Sequence, residues 1–293
     1  MTQPATRAQV ELGDTTVTFL PDGYGRVDPE AAFPLSANGG WATHGEFLDA
    51  DGWLPVSVGS FLVRTPDQAV LVDLGLGVVD FEVPGMASFK AGALLDSLAA
   101  EGLRPADIDT VVFTHLHHDH VGWTSEVAPT PETLGRRPAQ GLTFASARHL
   151  VSEAEWKHWS GTSSPIGPDP LAVQGPLEGR LELVSDGQEV AAGVKIMATP
   201  GHTPGHQSLV ITDRRDGRRL IILGDVMHCQ VQVAESEWGF VFDVDAEQAG
   251  ETRERLLREL ESGETILAAG HFTGHVFGRV LPPVARRAWA GGR

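Results

Sequence analysis

The chain is poor in cysteine. Cys229 is its single thiol in 293 residues, which excludes an internal disulfide framework and a cysteine-rich zinc site. That usage fits a reducing compartment. Basic residues are also scarce: 22 Lys and Arg stand against 39 Asp and Glu, giving a formal net charge of −17 with His neutral. No nucleic-acid or anionic-membrane partner is expected, because such partners are held by Lys and Arg. No apolar run reaches the length of about 18 residues that a membrane span needs. The opening segment MTQPATRAQVELGDTT has no apolar stretch of the secretory type. The cytoplasm is the expected location.

Hydrophobic residues make up 41% of the chain and glycines number 34. A sizeable core with many turns follows, and one large domain over residues 1–293 is expected, with residues 1–15 flexible. Thr16 to Leu20 reads as a strand closed by Pro21-Asp22-Gly23, and residues 21–55 read as a long irregular segment. Val56 to Val63 and Ala69 to Asp73 form a predicted hairpin around Thr65-Pro66-Asp67. Helical spacing is read over Ala91 to Gly102, Ser146 to Trp159 and Ala246 to Glu261. In the last of these, Thr252, Leu256, Leu257 and Leu260 form the inner face. Residues 160–180 read as a surface excursion. Further strands are predicted at Val111 to Phe113, Leu181 to Val184, Val194 to Ala198, Ser208 to Thr212, Leu220 to Leu223 and Ile266 to Ala268. The order predicts an α/β chain of two sheets with helices outside them.

The run Thr114-His115-Leu116-His117-His118-Asp119-His120 follows the apolar strand Val111 to Phe113. Imidazole and carboxylate are donors preferred by zinc and related divalent metals. In an extended loop His115 and His117 project to one side. As the chain curls, Asp119 and His120 can face a second point, so one loop can serve two neighbouring metals. Three more candidates follow apolar runs beside a glycine: His202, Asp225 and His271. Each is weak alone; with the His-rich run they make five His and two Asp. His118 is expected to be structural, and His206 to hydrogen-bond within its own loop near the site. His275 is expected to line the pocket. His44, His149 and His158 read as surface or packing residues. Cys229 is not expected to act as a nucleophile.

The ordered set His-x-His-x-Asp-His, Gly-His, Gly-Asp, Gly-His resembles the metallo-β-lactamase-fold hydrolases over roughly residues 56–275. The resemblance implies a four-layer αβ/βα sandwich of two mixed sheets. It implies that His115, His117 and His202 hold one metal, that Asp119, His120 and His271 hold the other, and that Asp225 bridges them. Two zinc ions are implied, with Fe, Mn or Co as alternatives. Asp73 would orient a ligand histidine. The stretch from Thr199 to Leu209 looks most like the N-acyl homoserine lactonase and methyl parathion hydrolase branch. Lactonases of that branch place a Tyr three residues after the bridging Asp; this chain has His228.

The implied activity is metal-dependent hydrolysis of an apolar lactone or ester by an activated water. Asp119 would move the proton, and His228 would donate a hydrogen bond to the substrate. An organophosphate triester or aryl ester is the alternative substrate. A thioesterase of the glyoxalase II type is a rival, although the tail after His271 offers no obvious glutathione-binding extension. Flavodiiron relatives carry Glu where His117 stands, a nuclease conflicts with the charge, and a non-catalytic metal-binding protein is the rival of another class. Relatives in this branch imply a homodimer. Trp41, Phe47, Trp53, Trp123, Trp238, Phe240 and Phe272 are candidates for an apolar pocket wall.

Overall fold

The computed structural model describes residues 3–292. Its first sheet contains β1 (Ala8–Leu12), β2 (Thr15–Val27), β3 (Leu54–Arg64), β4 (Ala69–Val72), β5 (Val79–Val83), β6 (Ala87–Ala91), β7 (Thr110–Val112), β8 (Arg148–Ser152) and β9 (Leu181–Val184). Its second contains β10 (Glu189–Ala191), β11 (Val194–Ala198), β12 (Gln207–Thr212), β13 (Arg219–Ile222), β14 (Ile266–Ala268), β15 (Phe277–Leu281) and β16 (Ala288–Gly291). The first sheet runs β5-β6-β2-β3-β4-β7-β8-β9, with β1 beside β2, and the second runs in chain order. Both are mixed: β4, β7, β8 and β9 pair in parallel, as do β13 and β14, among otherwise antiparallel pairs.

Strand alternation sets the layers. In β4, Val70 and Val72 join the core between the sheets, while Leu71 packs on the outer face. In β13, Leu220 and Ile222 point inward and Ile221 outward. The outer face of the first sheet is covered by α1 (Leu94–Ala100) and α2 (Glu153–Trp159) through Leu94, Leu98 and Trp159. The outer face of the second meets α3 (Ala246–Leu260) through Leu256, Leu257 and Leu260, and Thr252 is buried on the same helix. The result is the expected four-layer αβ/βα sandwich of two mixed sheets. No helix among the described residues is long and apolar enough to cross a membrane.

Several local expectations are corrected. Residues 148–152 form a strand, and the helix expected from Ser146 starts only at Glu153. β8 lies between two parallel neighbours, so His149, Leu150 and Val151 are buried in sequence and lack a strand's polar alternation. The surface excursion at 160–180 instead contains a helical segment, Pro170–Leu177, that buries Ala172, Val173 and Leu177. β2 continues through Pro21 to Val27 across a register shift between Pro21 and Gly23, where an extra residue bends the strand. Of the N-terminal residues expected to be flexible, Met1 and Thr2 lie outside the described residues; Ala8–Leu12 pair with β2.

Buried carboxylates tie these loops together. Asp22, at the β2 bulge, accepts from the backbone N–H groups of Leu76, Gly77, Gly92 and Leu94 and from the Trp123 indole. Glu155 on α2 is fully buried. One of its oxygens accepts from Leu116 N at 3.0 Å and Trp159 Nε1 at 2.7 Å. The other accepts from Thr203 Oγ1 at 2.6 Å and Gly205 N at 3.1 Å. Burial raises the Glu155 carboxyl above its ordinary range, and these donors oppose the rise. Glu155 thus joins the loop after β7 to the loop after β11.

Glu155→Gln should lower stability by about 1–3 kcal/mol, because an amide can accept at only one of the two oxygen positions. Urea unfolding checks this, and an unchanged midpoint and slope would contradict it. His149 supplies a pH dependence. Burial lowers its pKa from 6.5 to about 4. The unfolded chain takes up this proton near the ordinary value and the folded chain only near the lowered one, so stability falls as pH drops through that window. His149→Phe should flatten the fall by up to about 1.4 kcal/mol per pH unit. Unfolding free energies at about pH 7 and about pH 5 test it; parallel declines in both proteins would refute it.

Candidate metal centre

The strand ends of both sheets deliver the site. After β4, Asp73 adopts a left-handed backbone with φ 61°, a conformation that Asp tolerates better than most residues. Its carboxylate accepts from Thr114 N at 2.7 Å, Thr114 Oγ1 at 2.8 Å and His120 Nδ1 at 2.9 Å. His120 therefore turns Nε2 toward Asp225, 3.3 Å from Oδ1. His115 follows Thr114 and is held by the Thr114 hydroxyl at Nδ1, 3.0 Å away. Its Nε2 lies 3.7 Å from Asp225 Oδ2. His117 Nδ1 lies 2.9 Å from His202 Nε2.

The second sheet brings the remainder. Asp225 follows β13 at Gly224, whose φ is 57°. A Cβ at Gly224 would lie 2.6 Å from His206 Nε2, so only glycine fits there. His206 Nε2 accepts the Asp225 N–H at 2.8 Å, while His206 Nδ1 lies 3.1 Å from the Thr199 carbonyl. Burial lowers the pKa of His206 to about 4, matching the acceptor role of Nε2. The residue expected only to bond within its loop therefore also holds Asp225. His271 follows β14 and donates from Nδ1 to the Ser57 carbonyl at 2.8 Å. Its Nε2 lies 3.2 Å from Asp225 Oδ1 and 3.4 Å from Asp119 Oδ2.

All seven expected ligand candidates converge. Donor atoms lie within 4.8 Å of one another in each of the sets His115-His117-His202, Asp119-His120-His271 and His115-His120-Asp225. His202, Asp225 and His228 form a fourth such set. Burial holds His115, His117 and His202 well below the ordinary imidazole pKa, leaving lone pairs available. His271 behaves oppositely. Burial lowers its pKa, but Asp225 and Asp119 outweigh this and raise it to about 9. Burial would raise Asp225, yet His120, His271 and the neighbouring histidines hold it well below the carboxylate range. The Nε2 atoms of His115, His117 and His120, and Oδ1 of Asp225, are buried without hydrogen-bond partners. Inward imidazole nitrogens and an unpaired carboxylate oxygen are a donor set that a divalent cation satisfies. The centre supports divalent metal binding.

A cavity of about 290 Å³ opens onto this floor. Phe33, Leu54, Phe81, Met86, Phe89, Ile166, Phe240 and Phe242 are among its apolar walls, with no Lys or Arg among the described lining residues. His228 stacks on Phe240 at 3.7 Å between ring centroids, with 15° between planes. Its Nε2 lies 3.1 Å from Asp225 Oδ2, and neither ring nitrogen has a hydrogen-bond partner. Only Phe240 of the expected aromatic wall lines the cavity; Trp41 and Trp238 pack with Phe33 in a buried cluster. The other walls come from the β5–β6 hairpin, which carried no pocket signal in sequence, and from residues such as Phe33, Leu54, Ile166 and Phe242. His118, expected to be structural, also lines the cavity. His275 does not. It is exposed and lies against Gly291 of β16, because the turn at Gly274 (φ 68°) carries the chain away from the site into β15, which pairs with β16. Cys229 is buried, and burial pushes its thiol to about 12, as befits an inert side chain.

Sequence reasoning missed Asp243, whose Oδ1 lies 2.8 Å from His202 Nδ1. Asp245, two residues on, carries the visible signal as the N-cap of α3. Glu155 was also missed, though an acid one helical turn before Trp159 on the same face is a readable sign.

The comparisons agree with this geometry. Residues 53–271 match the family model described as the metallo-beta-lactamase superfamily. An N-acyl homoserine lactonase from a Bacillus species is 28% identical over 241 residues, spanning 78% of this chain and 84% of that protein. Two solved structures share the fold. AidC, a dizinc quorum-quenching lactonase solved with its product, has a TM-score of 0.81 at 20% identity, covering 98% of this chain and 97% of its own. The hydrolase AbOPH of the beta lactamase superfamily has a TM-score of 0.77 at 24% identity, covering 99% of both chains. With more than half its length matched to the family model and the motif residues gathered at one centre, the chain belongs to the metallo-beta-lactamase superfamily and is a metal-dependent hydrolase of that superfamily.

Proposed function

We propose that the chain hydrolyses a lactone or ester bearing an apolar arm, using two divalent metal ions. The observation that carries this reading is the cavity, apolar along its walls and floored by His117, Asp119, His202, Asp225, His228 and His271. In this reading His115, His117 and His202 would hold one zinc-type ion and Asp119, His120 and His271 the other, with Asp225 available to both. Fe, Mn or Co suits the same nitrogen and oxygen donors. When bound, such a pair polarises a carbonyl and lowers the pKa of water toward about 7.

The chain's own groups supply the rest. Burial would raise the Asp119 carboxyl, but His120 and His271 hold it below its ordinary range. It is therefore ionised at neutral pH and can take a proton from the attacking water and pass it to the leaving oxygen. His228, fixed by its stack on Phe240, has a free ring nitrogen to offer the substrate oxygen. The apolar walls hold the arm and exclude water. An anionic glutathione thioester finds no Lys or Arg along the described walls, which disfavours the thioesterase reading. The flat His228–Phe240 stack favours a second reading, an aryl ester or organophosphate triester whose ring lies against it.

Asp119→Asn should lower kcat by about 10²–10⁴-fold. Steady-state kinetics with metal analysis test this; wild-type kcat in a fully metallated variant would remove Asp119 from the reaction. A substrate panel tests the function itself, on protein of measured metal content. A lactone with a long acyl arm should show a higher kcat/KM than the same ring without it. Chelation should abolish turnover, and zinc should restore it. Inactivity across lactones, aryl esters and phosphotriesters would leave a metal-binding protein without this chemistry.

A further inference from the structure

We infer that Asp243 is a positioning residue whose one carboxylate both presents His202 to the metal centre and fixes the Phe240 wall of the cavity. The inference rests on His202 being a metal ligand. The two ring nitrogens of His202 face different partners. Nδ1 lies 2.8 Å from Asp243 Oδ1, while Nε2 lies 2.9 Å from His117 Nδ1 and 3.4 Å from Asp225 Oδ2. With the carboxylate as acceptor, Nδ1 donates and the Nε2 lone pair points into the cluster. Such a carboxylate fixes ring orientation and strengthens the imidazole as a donor.

The other oxygen acts on the cavity. Asp243 Oδ2 accepts the Phe240 N–H at 2.9 Å. Phe240 in turn stacks on His228. Two backbone bonds lock the same segment to the His202 loop: Val244 N donates to His202 O at 2.9 Å, and Asp245 N to Gly201 O at 3.0 Å. Behind the carboxylate stands Arg253 on α3, 1% exposed, with Nη2 at 3.6 Å from Asp243 Oδ2. Arg253 Nε donates to the carbonyl of Val226, the residue after Asp225, and Nη1 to that of Ser236. A buried cation thus offsets the Asp243 charge and braces the loops on either side. Both carboxylate oxygens are engaged by N–H donors. An amide at this position can accept at one oxygen only and would set its NH₂ against the other donor.

Asp243→Asn tests the inference in the metal-loaded protein. Chelator competition should show one of two zinc sites weakened by about 10–100-fold. Cobalt(II) substitution should show an altered visible spectrum, because the geometry at one ion changes. KM should rise more for a long-arm substrate than for a short one. Phe240→Ala separates the two roles: it should raise KM for the long arm while metal affinity and cobalt spectrum stay at wild type. Wild-type metal affinity and spectrum in Asp243→Asn would overturn the inference, even if its melting temperature fell. If that variant does not fold, the wild-type protein still decides. Long-range ¹H–¹⁵N spectra of histidine-labelled, zinc-loaded protein should show His202 protonated at Nδ1 with the metal at Nε2, and the reverse arrangement overturns the proposal. A wild-type protein that binds no metal would instead defeat the reading of His202 as a ligand, which separates the two failures.

Discussion

A carboxylate buried among histidines is the constraint on which the site depends. Asp225 is 4% exposed, and its Oδ1 has no hydrogen bond. An ion in that position is tolerated only if opposite charge or strong donors surround it. His120, His271, His228 and His115 do so. They arrive from β7, β13 and β14, strand ends of both sheets, so compensation of one charge requires both halves of the sandwich to meet correctly. The same crowding leaves imidazole nitrogens facing one another, an arrangement that a cation resolves.

The loops that achieve this are held largely by buried acids, with Arg253 as a basic brace. Asp22, Asp73 and Glu155 each accept from several groups on distant segments, and Asp243 joins the distant His202 to its own segment at Phe240. Backbone N–H groups dominate the partners of Asp22, so its charge is satisfied without a lysine or arginine. This gives the excess of acidic residues a structural use beyond solubility. Within the centre, burial holds His115, His117 and His202 low, while Asp225 and Asp119 favour a positive charge on His271.

Much of this was legible in the sequence, for definite reasons. The His-rich run follows a buried apolar strand, and His202, Asp225 and His271 each follow another, so the pattern of strand ends foretold their meeting. α3 was legible because its apolar spacing is helical over its whole length. β8 was not, because a strand buried on both faces loses alternation and Glu153 to Trp159 extends the apparent helix. The cavity walls were illegible: an aromatic side chain such as Trp41 in the core and one such as Phe89 in the wall differ only in what they face. Asp243 was hidden for another reason. Its partner lies 41 residues away in the chain, and no local pattern distinguishes it from the neighbouring capping Asp245.

The β5–β6 hairpin attaches to the rest of the first sheet through β2 and turns at Pro84-Gly85. It carries Phe81, Val83, Met86 and Phe89 to the cavity but none of the floor residues. Such a hairpin at a sheet edge accepts changes of length and side chain that a strand in the middle could not. The hairpin's share of the cavity wall is therefore separable from the metal centre. Over evolutionary time the hairpin can drift toward a new molecule while the histidines and their carboxylates are inherited intact, and a duplicated copy of this gene would need few changes to serve a different substrate.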